Sequence, residues 1–478
     1  MSRLGLISAI GSRNITSGAK LPLRLKGVIE DPDGGNYAQY PSQLDVTPNG
    51  KWIVISCVNR NKIYIYNAET LQLADSFTME STSNGGNMCI QPEVRVSGGI
   101  TYHAIVYMCG MSYAWSTASA TNTLRYRQFR DTDGIAPSGY GNYYGVGTPF
   151  GLYPFSFTNL RKFKSSSSGY TLGSNYWGFT GFSPGKETGT PEEVGPGLLY
   201  CPNSLSTIVS SGVSLSNGTN GTSTSINYRL GSGDPGHVIN AGVNSSPTLA
   251  TTGQGTVSND NFIAVSKQSG TTSGTFKLNR VYLFNQGSLT PGTIVKEITL
   301  PIATGTNPSC LAMNSTYLVV GSNSTTTTGG TNQGVVHVYH NLGSSAELKY
   351  TLYGHNYTDI WNEGTNTSGA IKQFGHRVEC DEDYLYVTAA GIELPGTSAQ
   401  VTGGGMGGLF IFNINNGKLL QTIIGHNTDT WYQNGPSAHS YYGSQMVLGG
   451  STLVISGINI SVSGTYTYRG RTYVYEKL

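Results

Sequence analysis

Apolar and polar residues alternate along this chain in short runs, and one run recurs five times: Lys62-Ile63-Tyr64-Ile65-Tyr66-Asn67, Arg280-Val281-Tyr282-Leu283-Phe284-Asn285, Val335-Val336-His337-Val338-Tyr339-His340, Gly408-Leu409-Phe410-Ile411-Phe412-Asn413 and Arg471-Thr472-Tyr473-Val474-Tyr475-Glu476. Most copies follow a second apolar run, as in residues 51–56, 317–321 and 384–388. A third, such as Leu419-Leu420-Gln421-Thr422-Ile423-Ile424, comes after. Period-two alternation rich in aromatic and β-branched residues predicts strands, and helical periodicity is nowhere sustained.

A unit of consecutive strands repeated along one chain predicts a radial array of small sheets, an all-β propeller. Taking the third strand of each unit as a marker places copies ending at Tyr66, Tyr126, Phe284, Tyr339, Phe412 and Tyr475. The stretch between Tyr126 and Phe284 has room for one or two more, which predicts seven blades, with eight as the alternative. The final unit stops after its third strand. Leu23 to Ile29 resembles the fourth-strand run 419–424, so it is expected to complete the last blade and leave no open edge. Residues 1–20 then form an amino-terminal arm and residues 21–478 a single propeller. Within the propeller, 131–194 reads as a long irregular loop region rich in Gly, Ser, Pro and Tyr.

Charged residues are 11% of the chain and the formal net charge is +2, against about 25% charged in typical domains. Neither a nucleic-acid partner nor an anionic membrane surface fits so weak a field. The densest basic patches (Arg125, Arg127, Arg130; Arg161, Lys162, Lys164) are interleaved with strand-like residues. The cysteines at 57, 89, 109, 201, 310 and 380 form no CxxC pair, which argues against zinc or a disulfide framework. No secretory signal or membrane span is read, so synthesis in a cytoplasm is expected.

Candidate chemistry is sparse. His355, His376 and His426 each follow glycine between strands, where a structural hydrogen-bonding role is favoured over catalysis. His337 and His340 are expected on opposite faces of one strand. Asp31-Pro32-Asp33-Gly34 and Asp131-Thr132-Asp133-Gly134 have the Asp-x-Asp-Gly pattern that gathers oxygens around calcium, but both lack a distal glutamate. Plain turns are the favoured reading, and no cofactor is expected. No nucleophile elbow, phosphate loop or sialidase-type box occurs, so no enzymatic activity is expected. Thr358-Asp359-Ile360-Trp361 and Thr428-Asp429-Thr430-Trp431 recur after the Gly-His dipeptides. They fit either a packing spacer between blades or a stacking platform for a sugar ring. The unrepeated aromatics Tyr140, Tyr143, Tyr144 and Trp177 fit a partner surface.

Gly354-His355 and Gly425-His426 follow fourth strands, where the chain resembles WD-repeat proteins, without their Trp-Asp. Phe374-Gly375 and Tyr442-Gly443 resemble the opening of FG-GAP blades. Both resemblances imply fold rather than ligand. Low charge with abundant Gly, Ser, Thr, Asn and Tyr, together with the unpaired arm, resembles bacteriophage tail and fibre proteins. That likeness implies a virion component in many copies, made in the host cytoplasm, that docks to other tail proteins and binds a host-surface glycan or protein. The alternatives are a carbohydrate-binding or carbohydrate-cleaving propeller and a WD-type interaction scaffold.

Overall fold

The computed structural model describes residues 21–34, 40–41, 43–57, 60–78, 88–90, 95–97, 99–109, 123–136, 141–144, 181–183, 198–200, 256–259, 261–266, 279–285, 294–301, 308, 310–325, 333–361, 371–392, 407–424, 439–440, 442–460 and 469–478. They form strands and one 3-10 helix, Gly354–Trp361. Sheet I holds β2 (Gln43–Val46), β3 (Trp52–Cys57), β4 (Lys62–Asn67) and β5 (Leu73–Thr78). Sheet II holds β6 (Met88–Ile90), β7 (Arg95–Ser97), β8 (Ile100–Cys109), β9 (Thr123–Arg130) and β10 (Gly141–Tyr144). Sheet III is the pair β11 (Gly181–Ser183) and β12 (Leu198–Tyr200). Sheet IV contains β13 (Thr256–Ser258), β14 (Phe262–Ser266), β15 (Arg280–Asn285) and β16 (Ile294–Thr299). Sheet V contains β17 (Cys310–Met313), β18 (Leu318–Ser322), β19 (Val335–His340) and β20 (Glu347–Tyr353). Sheet VI contains β21 (Ile371–Cys380), β22 (Tyr384–Ile392), β23 (Gly408–Asn413) and β24 (Leu419–Ile424). Sheet VII combines β25 (His439–Ser440), β26 (Gln445–Gly449), β27 (Thr452–Ile460) and β28 (Arg469–Lys477) with β1 (Leu23–Glu30).

The strands within these sheets pair antiparallel, and each four-stranded sheet is a meander in chain order. First strands lie against first strands of the next sheet: β2 against β6, β13 against β17, β17 against β21, β21 against β26, and β26 back against β2. The sheets therefore stack face to face, and their inner strands are covered on both sides. That is why β3, β18 and β23 read as nearly unbroken apolar text: on β4, Tyr64 and Tyr66 pack toward sheet VII with Val447, Val454 and Val474. Ile63 and Ile65 pack the other way, with Ile90, Ile105 and Phe129 of sheet II. Each such side chain contributes about 1.5–3 kcal/mol by burial, so the core is a series of wedges between sheets.

The first strand in the chain completes the last sheet. β1 pairs with β28 in a register that runs from Leu23 opposite Lys477 to Glu30 opposite Arg471. Leu23 and Ile29 bury their side chains. Arg24 meets Glu476 at 2.6 Å and Arg471 meets Glu30 at 2.9 Å. Gln421 of β24 clamps the start of the strand, accepting from the Leu23 N–H at 3.0 Å and donating to the Leu23 carbonyl at 3.1 Å. The expected neighbourhood of Leu23 to Ile29 and Arg471 to Glu476 is the observed one.

Three local expectations differ from the structure. His376 lies within strand β21 rather than in a connection. Gly375, at φ +80°, makes a bulge between Phe374 and Arg377 that lets the strand continue. Residues 131–194 contain strands β10 and β11, so Tyr143 and Tyr144 stand on a strand, opposite Arg125 and Leu124 of β9. Asp359 and Trp361 belong to the 3-10 helix rather than an irregular loop.

Because strands alternate in direction, the connections segregate. At one end the turns between first and second strands are tight: residues 47–51, 314–317, 381–383 and 450–451. Connections at the other end are long, including 323–334, 354–370, 393–407 and 425–438.

Candidate functional site

Tyr140, Trp177, His426, Asp429 and Trp431, like the arm 1–20, lie outside the described residues. The sites given by the described residues are the junctions between sheets.

The first device is a lock of glycine and aromatic. Phe374, just before the bulge in β21, and Tyr442 and Tyr40, just ahead of β26 and β2, are almost completely buried. The carbonyl of each rests on a glycine at the start of the preceding sheet's third strand: Phe374 on Gly334, Tyr442 on Gly407, Tyr40 on Gly470. A Cβ at any of these glycines would fall inside the carbonyl oxygen. Where the next sheet has no such aromatic, the matching residue is Asn61 or Asn279, both at positive φ. The aromatics also match the third strand of their own sheet. Tyr442 and Tyr475 share a hydrogen bond of 2.6 Å and Tyr40 donates to Tyr66 at 3.5 Å, whereas Phe374 meets Phe412 edge-on with centroids 6.2 Å apart. Both partners carry hydroxyls or neither does. Tyr442→Phe is therefore expected to cost about 1–2 kcal/mol by orphaning the Tyr475 hydroxyl. The double variant Tyr442→Phe with Tyr475→Phe should recover most of that loss in urea unfolding, because it recreates the Phe374–Phe412 pair.

A second device runs along the tight end. Asn314 accepts from the N–H groups of Thr316 and Tyr317 at 2.8 and 2.6 Å, shaping its own turn, and donates to the Asp381 carbonyl of sheet VI at 2.7 Å. Asn259 repeats this from sheet IV, donating to the Asn314 carbonyl at 2.8 Å. Asp381 shapes the next turn and takes Lys477 of sheet VII at 3.0 Å. Thr452 donates to the Gly50 carbonyl at 2.8 Å, and Asn49 to Asp131 at 2.9 Å. Sheets IV, V, VI, VII, I and II are thus tied in sequence at this end.

The Asp-x-Asp-Gly loops belong to the same system. Asp31 pairs with Arg60, which also donates to the Gly34 carbonyl. Asp33 takes Lys62 at 2.7 Å and the Tyr64 hydroxyl at 2.9 Å, and the Lys62 hydrogen bond holds its carboxyl below the usual range. Asp131 accepts from His103 at 2.8 Å and faces Lys51 at 3.3 Å, while Asp133 meets Arg130 at 2.7 Å. Burial acts to raise Asp131, but hydrogen bonds from His103 and Asn49 override it and leave its carboxyl low. The carboxylates of both loops are already paired with Arg60, Lys62, Lys51 and Arg130, which answers the charge a calcium ion would need. Among the described residues, no group of three or more His, Cys, Asp and Glu could hold a metal.

His103 lies within strand β8, His337 within β19 and His376 within β21. His103 and His337 are fully buried. Burial depresses His103, against the pull of Asp131, and takes His337 to about 4. His376, on β21, is half-buried and faces Asn323 at 3.1 Å, and burial with Arg377 beside it lowers it. The sequence singles out Phe374 and Tyr442 as strand openings, but Tyr40, the glycines of the lock and the Asn259–Asn314–Asp381 series are not legible as a site. The only signal available was the recurrence of Asn or Asp just before a second strand.

No family model matches the chain, and no curated protein matches it. Among solved structures, it is similar to the β-propeller domain of Myceliophteria thermophila Cps50 (Swd1), at 10% identity over 96% of this chain and 100% of that one, with a TM-score of 0.40. It is also similar to Hsv2 of Kluyvelomyces marxianus, at 9% identity over 91% and 99% of the two chains, with a TM-score of 0.36. Likeness at this level carries no weight for function, and the fold rests on the strand pairing described above.

Proposed function

We propose that this chain is a seven-bladed propeller, closed by β1, that serves as a non-enzymatic binding scaffold and presents its long connections to a protein partner. One observation carries the reading. Among the described residues, the side chains that could support chemistry (Asp31, Asp33, Asp131, Asp133, His103 and Asp381) are engaged in holding turns and sheets together at the junctions. What is left for recognition is the end with the long connections, on a rigid support. A particle setting, as a phage tail or tail-associated protein in many copies, is carried by composition alone. In that setting modest contacts gain strength by repetition.

The test replaces residues 393–406 with a Gly-Ser linker and co-expresses each form with the proteins encoded beside its reading frame. A glycan array and a chromogenic glycoside panel run in parallel. A protein partner retained by the native chain and lost on replacement, at unchanged melting temperature, is expected. Hydrolysis abolished by removing one acidic loop residue would replace this reading with the enzyme. Glycan binding without turnover, and with no protein retained, would favour the carbohydrate-binding propeller.

A further inference from the structure

The junction between sheets IV and V differs from its neighbours. Alternation along β19 sends Val336 and Val338 toward sheet VI and turns His337 and Tyr339 toward sheet IV. Ser322 of β18 and Ser266 of β14 enter the same wedge, next in their alternating rows to Val320 and Ala264 of that core. His337 and Ser322 are 0% exposed, Ser266 2% and Tyr339 3%. Among the described residues, the His337 Nε2, the Tyr339 hydroxyl and both serine hydroxyls have no hydrogen-bond partner. At the junction of sheets VI and VII the corresponding groups are matched: Tyr442 with Tyr475, Ser444 with Ser456 at 2.7 Å, and Thr388 with the Gly443 carbonyl at 2.9 Å. Four orphaned polar atoms in one apolar wedge mark a weak seam.

At the place of His337 the third strands of sheets I, IV, VI and VII carry Tyr64, Tyr282, Phe410 and Tyr473. Among the described residues, its one hydrogen bond is from Nδ1 to Thr351, at 3.0 Å. Around it, β18 offers Leu318, Val320 and Ser322, β20 offers Thr351 and Tyr353, and β19 offers Tyr339. Sheet IV contributes Ala264, Ser266, Val281, Leu283 and Ile298. Its charged pair, Arg280 and Glu297 at 2.8 Å, alternates to the opposite face along with Tyr282, whereas Lys296 of the outer strand β16, opposite Leu283, is on the face toward sheet V and adds positive charge there. Among the described residues, no carboxylate faces the imidazole.

We infer that the wedge between sheets IV and V is an acid-sensitive seam, in which protonation of His337 places an uncompensated charge among unpaired hydroxyls and opens this junction before the others. A folded-state value depressed to about 4 by burial means the contribution of His337 is fully present above the ordinary imidazole value and is lost as pH falls from about 6.5 toward 4. At pH 5 the open form gains about twentyfold relative to pH 7. His103, compensated by Asp131, serves as the internal comparison. His376, at the junction of sheets V and VI, keeps part of its surface open to solvent and has Asn323 at 3.1 Å, so a proton there is hydrated where one on His337 is not.

The experiment is amide hydrogen exchange of the full chain at pH 7 and pH 5, each rate divided by its unstructured reference. Peptides of β14, β15, β18 and β19 are expected to lose protection about twentyfold at pH 5, with those of β26 to β28 changing only a few fold. His337→Phe, which copies Phe410, and His337→Gln, which keeps a polar group toward Thr351, should each abolish the difference. Equal acceleration in all sheets, acceleration centred on β21, or persistence of the effect in both variants would overturn the proposal.

Discussion

Alanine at Gly407 is expected to cost about 4 kcal/mol, near the upper limit for a single substitution. Two effects combine there. Gly407 sits at φ +69°, where a side chain costs about 1 kcal/mol, and its new methyl group would enter the Tyr442 carbonyl oxygen across the junction of sheets VI and VII. The obstruction is backbone, so no rotamer change relieves it, and the sheets must separate. Gly99→Ala isolates the first effect: Gly99 has φ +78°, and nothing lies within 4 Å of the place its new methyl group would take. Urea unfolding of the two variants should differ by about 3 kcal/mol. Equal losses would mean that backbone conformation alone explains Gly407.

Removing residues 1–30 is expected to have the larger consequence. Without β1, β28 presents an unpaired edge. The burial of Leu23 and Ile29, about 2 kcal/mol each, is lost with the strand's hydrogen bonds. The sum of about 5 kcal/mol or more is comparable to the whole stability of many domains. Light scattering should show self-association through the bare edge or loss of cooperative melting. A synthetic peptide spanning residues 21–30 should restore the monomer. Unchanged melting of the truncated chain would refute the closing role of β1.

Much of this architecture is legible in the sequence because inner strands buried on both faces leave a strong apolar signal. Val335–Tyr339 and Gly408–Phe412 declare themselves, and Leu23–Ile29 is recognisable as a fourth strand without a third before it. The junction chemistry is harder to read, because each partner is separated from the other by a connection of arbitrary length. Phe374-Gly375 is visible as a motif, yet Gly334, on which the Phe374 carbonyl rests, looks like any glycine before a strand. His376 reads as a loop residue because Gly375 reads as a break, although that glycine makes a bulge. The Asp-x-Asp-Gly loops look identical from sequence, and only the approach of Arg60, Lys62, His103 and Lys51 from other strands shows that their charge is answered. His337 stands out once the third strands are aligned, as the imidazole in a column of tyrosine and phenylalanine. Of the aromatics expected to form a partner surface, Tyr143 and Tyr144 lie on a strand, and Tyr140 and Trp177 lie outside the described residues.

The most direct test of closure is a disulfide across the two ends of the chain. Arg24 and Glu476 are register partners on β1 and β28, so Arg24→Cys with Glu476→Cys is predicted to oxidise within one molecule, giving a faster-migrating monomer with a raised melting temperature that neither single variant shows. Absence of that species, or disulfide-linked dimers in its place, would contradict the account.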